Sequence, residues 1–237
     1  MNKILLVFLF IFTTSGCSKN ISPIKPVNKQ VGFTILPFPS DNFMVGQIVE
    51  LYTKPNKVII TYSPDTLKNK KIHIYKGWNI SDSSENFIKR NLQKDISKIL
   101  KSKYTFASEK NLEISFINTQ TNSIYKHDIF NTLKNTLKNN VMIRDHILGF
   151  RHSKWRTKYD VVIQTLSAYI GFKLTDSSGH IVAINPSTIE KINTKLPLNF
   201  FRSGEKIITD SRLVVGIYTD PDILDILIKQ YETQVKK

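Results

Sequence analysis

Residues 159–174, YDVVIQTLSAYIGFKL, form the longest β-type pattern in the chain. Apolar residues recur at alternate positions over much of this stretch, which places them on one face of an extended strand. That predicted face consists of Val162, Leu166, Ala168, Ile170, Phe172 and Leu174. Residues 176–179, Asp-Ser-Ser-Gly, have the composition of a tight turn. Residues 180–184 are then predicted to run back along the long strand as its hairpin partner. The stretch therefore predicts a long strand that opens a β-hairpin.

Shorter β-type segments lie on both sides of this strand. We predict strands at 33–39, 45–52, 57–62, 72–75, 112–117 and 213–218. The prolines in 33–39 cannot donate to a central ladder, so this segment is predicted at a sheet edge. Thr-Lys-Pro-Asn joins 45–52 to 57–62 as a hairpin, which 72–75 extends into a small meander. The polar residues 118–122 are predicted to end the strand before them.

Amphipathic periodicity predicts helices at 82–101, after Asp128, at 186–192 and from Pro221 onward. The predicted helix starts are a capping box of Asp82 with Glu85, and the N-caps Asp128, Asn185 and Asp220. The second helix is predicted to turn inward Phe130, Leu133, Leu137 and Val141. Together these elements predict an α+β fold of antiparallel hairpins packed with two or three longer helices. We expect two halves of similar size, 31–143 and 159–237, joined by 144–158.

The composition is strongly basic, with a formal net charge of +15. Such a charge favours an anionic partner such as lipid or acidic glycan. Most of the basic residues are lysine, however, and lysine, asparagine and isoleucine are abundant throughout, so dispersed lysines on solvated faces explain the charge equally simply. No nucleic-acid readout motif is present, and nucleic acid is not predicted as a partner.

The amino terminus has the organisation of an export signal. Lys3 precedes an apolar run of nine residues, Ile4 to Phe12, and Thr-Thr-Ser-Gly-Cys follows at 13–17. Nine residues are too few to span a bilayer, which takes roughly 20. Residues 17–30 are polar and contain two prolines, which predicts an extended tether.

Ser15-Gly16-Cys17 resembles the lipobox of bacterial lipoproteins. The resemblance implies that residues 1–16 are removed and that Cys17 carries diacylglycerol and an N-acyl chain, with no other cofactor. Cys17 is the single cysteine, so no disulfide is expected. The implied partner is the lipid bilayer. The implied location is the periplasmic leaflet of the outer membrane, or the outer face of the cell membrane in a single-membraned organism.

The joining stretch 144–158 combines arginine, lysine, histidine and tryptophan with one acidic residue, Asp145. Arginine beside tryptophan is favoured at interfaces, so this stretch is a candidate partner-binding site. Its candidate residues are Arg144, Arg151, Lys154, Trp155 and Arg156. The alternative is a boundary loop with solvated cations. His146 and His152 have no neighbouring cysteine and one nearby carboxylate, so a metal site is not predicted.

No catalytic residue is predicted, because no nucleophile elbow, phosphate loop or zinc-protease motif is present. The pair Asp220 and Asp222 lies at a predicted helix start, which explains it structurally. The favoured function is therefore a lipid-anchored binding or assembly component of the bacterial envelope, with an envelope protein, peptidoglycan or anionic lipid as partner. The alternative is an envelope enzyme acting on peptidoglycan or lipid, with dispersed site residues.

Overall fold

The computed structural model describes residues 33–53, 56–67, 70–78, 80–151, 157–196 and 198–235. Several predicted features lie outside the described residues: the signal 1–16, Cys17, the tether, His152, Lys154, Trp155 and Arg156. Within the described part of the chain, no helix has both the length and the hydropathy to cross a membrane.

Single strands and runs of strands are separated by helices along the described residues, and the predicted α+β fold is confirmed. The strands are β1 Phe33–Ser40, β2 Ile48–Thr53, β3 Asn56–Tyr62, β4 His73–Lys76, β5 Leu112–Ser123, β6 Thr157–Leu174, β7 Phe200–Ser203, β8 Lys206–Thr209 and β9 Leu213–Asp220. The helices are α1 Asp82–Leu100, α2 Lys126–Asn139, α3 Val141–Arg151, α4 Pro186–Lys195 and α5 Pro221–Val235. Short 3-10 helices cover Asp65–Leu67 and Glu109–Asn111.

The long predicted strand, β6, is the centre of the sheet. It pairs antiparallel with β2 and β5, and also with β8 and β9. The main path of the sheet is β1-β9-β6-β2-β3, and β4 joins through β5. β1 pairs with β9 at one end of this path, which agrees with its predicted edge position. Strands from 31–143 and from 159–237 therefore lie side by side in one sheet.

Two large clusters of buried side chains hold the helices on the sheet. One joins α1 and α4 to β5 and β6, and it includes Ile96, Leu100, Phe172, Leu174 and Ile192. The other joins α2, α3 and α5 to β2 and β6, and it includes Ile48, Ile129, Leu133, Ile147, Val161 and Leu224. In α2, Ile129, Leu133 and Leu137 are buried at helical spacing, so the opposite side of α2 is left for solvent.

The helix starts differ in detail from those predicted. Ser81, rather than Asp82, caps α1, because its hydroxyl accepts from the backbone N–H of Ser84. Asp128 lies in the first turn of α2 and not at its N-cap. Val141, predicted to face inward, starts α3 and is exposed. The caps predicted at Asn185 and Asp220 agree with the structure, since both side chains accept from the backbone of the following turn.

Three strand predictions are corrected. β4 pairs with β5 and does not extend the β2-β3 hairpin as a meander. β5 continues through 118–122, because its ladders with β4 and β6 carry it past a bulge at Asn118, which has a φ of 52°. The return after the 176–179 turn is an isolated bridge between Thr175 and Ile181.

The predicted face of β6 is correct over most of its length. Leu166, Ile170, Phe172 and Leu174 share one cluster. Val162 instead belongs to a third cluster with Leu36 and Val49. The register of β6 with β9 shifts between Val162 and Gln164, and this shift separates Val162 from the rest of the face.

Candidate binding surfaces

Among the five candidate partner-binding residues, Arg144 is the one whose side chain the structure describes. Its guanidinium lies 4.6 Å from the ring centre of Tyr231 in α5, and its Nε donates to Asp145 at 3.2 Å. The side chain is 17% exposed. Arg144 therefore packs α3 against α5 and offers little to a partner. Arg151 is the last residue of α3, and the structure does not describe its side chain. Lys154, Trp155 and Arg156 lie outside the described residues.

His146 contacts the sheet through Tyr159. Its Nε2 lies 3.3 Å from the Tyr159 hydroxyl, and the two rings meet edge to face. Among the described residues, no group of three or more histidine, cysteine or acidic side chains is placed to hold a metal ion.

Glu50 and Asp160 are the two most buried acidic side chains among the described residues. Glu50 is directly opposite Tyr159 in the β2-β6 ladder, so these two side chains share a face of the sheet. Asp160 follows Tyr159 and faces the other side, where it accepts from Thr219 at 2.8 Å. The two carboxylates cannot act together on one substrate.

Glu50 changes the acidity of two neighbouring tyrosines. A hydrogen bond to Glu50, with burial and the carboxylate charge, raises the pKa of Tyr52. Burial, followed by the charges of Glu50 and Tyr52, raises the pKa of Tyr159. The Glu50 carboxylate therefore interacts with one tyrosine of β2 and one tyrosine of β6.

A cleft of about 620 Å³ runs between the outer side of α2 and the segment that follows β3. Short polar side chains of α2 line it at helical spacing, namely Asn131, Thr132, Asn135, Thr136 and Asn139. Tyr62 lines the opposite wall, with its hydroxyl 3.3 Å from Oγ1 of Thr136. The buried side of α2 fixes this arrangement, because Ile129, Leu133 and Leu137 hold the helix on the core.

The three asparagine side chains in the cleft, Asn131, Asn135 and Asn139, are exposed. Among the described residues, none hydrogen-bonds to their side-chain amides. Among the described residues that line the cleft, Lys70 and Asp128 are the charged ones, and they form an ion pair at 3.3 Å. The described side chains that line the cleft are therefore polar and nearly neutral in total charge, although more of the cleft's accessible surface is apolar than polar.

Beside the Lys70 end of the cleft lies a surface that we call the β4 surface, formed by residues 70–76 and Tyr125. Its large apolar side chains are unusually exposed: Ile72 47%, Ile74 62%, Tyr75 57% and Tyr125 57%. The lysines beside them, Lys70, Lys71 and Lys76, are also exposed. The His73 ring packs 4.3 Å from the Tyr125 ring and so ties β4 to the start of α2.

Exposure of alternate isoleucines follows from the position of β4. The strand is four residues long and pairs with β5, and in the described structure its last three residues, Ile74, Tyr75 and Lys76, remain exposed. Clustered exposed apolar groups usually mark a binding surface, whereas single ones are ordinary.

Comparisons with known proteins supply no family. No family model matches the chain, and no curated protein matches it. Among solved structures, a bacterial gasdermin from Bradyrhizobium tropiciagri is similar over 78% of this chain and 80% of its own, with 10% identity and a TM-score of 0.39. A likeness at this level assigns neither fold nor function.

Sequence reasoning missed both surfaces, although each leaves a signal. Asn131, Asn135 and Asn139 recur at every fourth position, which places them on one side of a helix. A search of the sequence for the apolar side of α2 does not detect this series of asparagines. The segment 70–76 reads Lys-Lys-Ile-His-Ile-Tyr-Lys, in which apolar and basic residues are interleaved, and its strand propensity conceals its exposure.

Proposed function

We propose that this protein is a lipid-anchored, non-catalytic binding component of the bacterial cell envelope. Diacylglycerol and an N-acyl chain on Cys17 hold it in one leaflet of a bilayer. The periplasmic leaflet of the outer membrane is favoured, or the outer face of the cell membrane in a single-membraned organism. The observation that carries the proposal is the β4 surface. Ile74 and Lys76 are exposed on one face of β4, and Lys71 and Ile72 are exposed just before the strand. Apolar and cationic groups side by side suit an anionic bilayer surface.

The anchor and the β4 surface reinforce each other. A tether of residues 17–30, extended at about 3.1 Å per residue, keeps the folded body within some tens of Å of the lipid. At that distance the effective concentration of membrane is high, so a weak surface contact is enough to orient the body. Each lysine near an anionic membrane contributes about 1 kcal/mol. Full burial of one exposed isoleucine contributes about 1.5 to 3 kcal/mol.

The arrangement of acidic groups favours binding over catalysis. Hydrolysis of a glycan by paired carboxylates needs two that face one bond. Glu50 and Asp160 face opposite sides of the sheet. Asp220 is held by Lys126 at 2.7 Å and also accepts from the backbone of Asp222, so its carboxylate stabilises a helix start.

The anchor is tested by mass spectrometry of the N-terminal peptide from full-length protein expressed in a bacterium. The expected mature protein begins at Cys17 and carries two or three acyl chains. A Cys17→Ala variant should lack the modification and the cleavage before residue 17. An unmodified Cys17 thiol, or cleavage at another position, would exclude the lipoprotein proposal.

Membrane contact by the body is tested separately with unlipidated mature chain carrying Cys17→Ser. Its co-sedimentation with vesicles of phosphatidylcholine and phosphatidylglycerol is compared with pure phosphatidylcholine. We expect binding to the anionic vesicles that weakens with salt and falls about tenfold in Ile74→Asn, as loss of one buried isoleucine requires.

Ile226→Asn is the matched control for this experiment. Ile226 is also an exposed isoleucine, at 47%, but lies in α5. We expect this variant to bind as the parent chain does. Equal binding by Ile74→Asn and the parent, or equal losses in both isoleucine variants, would show that the β4 surface does not contact the bilayer.

A further inference from the structure

We propose that the cleft along α2 binds an uncharged, N-acetylated glycan strand. The site consists of the exposed amides of Asn131, Asn135 and Asn139, with Tyr62 on the facing wall. The cleft alone selects a neutral ligand rich in hydroxyl or amide groups, such as a glycan. Its N-acetylation and its source, the glycan backbone of the cell wall, rest on the envelope location proposed above.

The side-chain chemistry selects a ligand with both donors and acceptors. A primary amide offers two N–H donors and one carbonyl acceptor. Sugar hydroxyl and acetamido groups have the same dual character. Within the described structure, the three asparagine side chains form no hydrogen bond to protein groups. Their amides can therefore exchange bound water for a ligand.

The spacing of the asparagines fits a linear ligand. Four residues of α-helix rise about 6 Å, so the three amides form a row of roughly even steps along α2. Polar substituents recur along a glycan strand at a comparable interval. Thr136 lies within this row, but its hydroxyl already donates to the carbonyl of Thr132 at 3.0 Å. Recognition therefore falls to the asparagines.

Charge and shape argue against the other common ligand classes. Lys70 and Asp128 form an ion pair at 3.3 Å, so the lining has no unbalanced charge for a phosphate or a carboxylate. Peptides are usually recognised by addition to a strand edge or by apolar pockets for side chains. The wall formed by α2 presents amides and threonines in place of such pockets.

The test is isothermal titration calorimetry of the whole lipidated chain in mild detergent. The probes are soluble oligomers of β-1,4-linked N-acetylglucosamine, the corresponding unacetylated glucose oligomers, and the peptidoglycan stem peptide without sugar. We expect binding of the N-acetylated oligomers, weaker or no binding of the glucose oligomers, and none of the peptide.

The deciding variant is Asn135→Leu, which removes the central amide from an exposed position and keeps a similar volume. We expect its Kd for the acetylated oligomers to rise about tenfold, as loss of one or two neutral hydrogen bonds requires. Asn86→Leu is the matched control, because Asn86 is an exposed asparagine on α1, away from the cleft. The Kd of the Asn86→Leu variant should stay within about twofold of the parent value, since residue 86 does not contact the ligand.

Three results would overturn the glycan proposal. They are no binding of the oligomers at millimolar concentration, unchanged binding by Asn135→Leu, and binding of the stem peptide alone. Vesicle binding separates this proposal from the membrane proposal. Asn135→Leu should bind anionic vesicles as the parent does, whereas Ile74→Asn should lose vesicle binding and keep the glycan affinity.

Discussion

Replacement of Gly46 by alanine should destabilise the protein more than the same replacement at Gly179. Gly46 has a φ of +89° and is buried just before β2, where its N–H donates to the carbonyl of Val162 at 2.7 Å. A Cβ built on Gly46 would overlap Cδ1 of Leu67, a side chain that is 2% exposed. Gly179 has a similar φ, +84°, but a Cβ there would meet nothing within 4 Å.

The two glycines separate a backbone cost from a packing cost. An alanine in the left-handed region costs about 1 to 2 kcal/mol, and this applies at both positions. Overpacking of a filled core costs about 1 to 3 kcal/mol, and this applies at Gly46 alone. We therefore expect losses of about 1 to 2 kcal/mol for Gly179→Ala and about 2 to 5 kcal/mol for Gly46→Ala.

The measurement is the free energy of unfolding from urea titrations followed by circular dichroism, with unchanged slopes as a check on two-state behaviour. Combining Gly46→Ala with Leu67→Ala removes the atom that is overlapped, so the double variant should be more stable than the sum of the single effects predicts. Equal losses for Gly46→Ala and Gly179→Ala would refute the reasoning, because the packing cost would then be absent.

Three further changes test the polar contacts. Thr209→Val should cost about 1 to 3 kcal/mol in urea unfolding, because Oγ1 of the buried Thr209 accepts from the N–H of Ile170 at 3.0 Å; stability equal to the parent would contradict this. Burial raises the pKa of Asp220, but the hydrogen bond and charge of Lys126 and the backbone hydrogen bonds of Asp222 and Ile223 together outweigh burial, so the net pKa is lowered. Its contribution is therefore present above about pH 4 and is lost as pH falls through the folded pKa, so stability should fall less steeply on acidification in Asp220→Asn than in the parent. Asn185→Ala should cost about 1 kcal/mol and lower the melting temperature, and an unchanged melting temperature would exclude a capping role.

Sequence periodicity was sufficient for elements whose local signals agree with their environment. β6 and α1 carry long apolar patterns, and α4 has both Asn185 as its cap and Pro186 as its first residue. The polar continuation of β5 was not predictable in this way. Its residues 118–122 lack apolar alternation, and they stay extended because β4 and β6 supply hydrogen bonds on both sides. Those partner strands are distant in sequence, so the local strand propensity of residues 118–122 cannot predict the pairing.

The candidate surfaces were harder to predict because they depend on which side of an element remains uncovered. The series Asn131, Asn135 and Asn139 is visible in the sequence, but its concave setting depends on the wall that contains Tyr62. The apolar residues of β4 look like core in the sequence and are exposed in the structure. Arg144 shows the reverse, since an apparently free cation packs on Tyr231.

The pairing of β1 with β9 has a consequence for biosynthesis. Phe33, near the start of the folded body, lies opposite Tyr218, near its end, and β9 separates β1 from β6. β1 therefore has no partner strand in the described sheet until residues 213–220, which form β9, have been made. Sheets with such distant pairing form slowly and expose unpaired strands in the meantime. Until β9 has been made, the backbone of β1 is therefore open to pairing with strands of other chains.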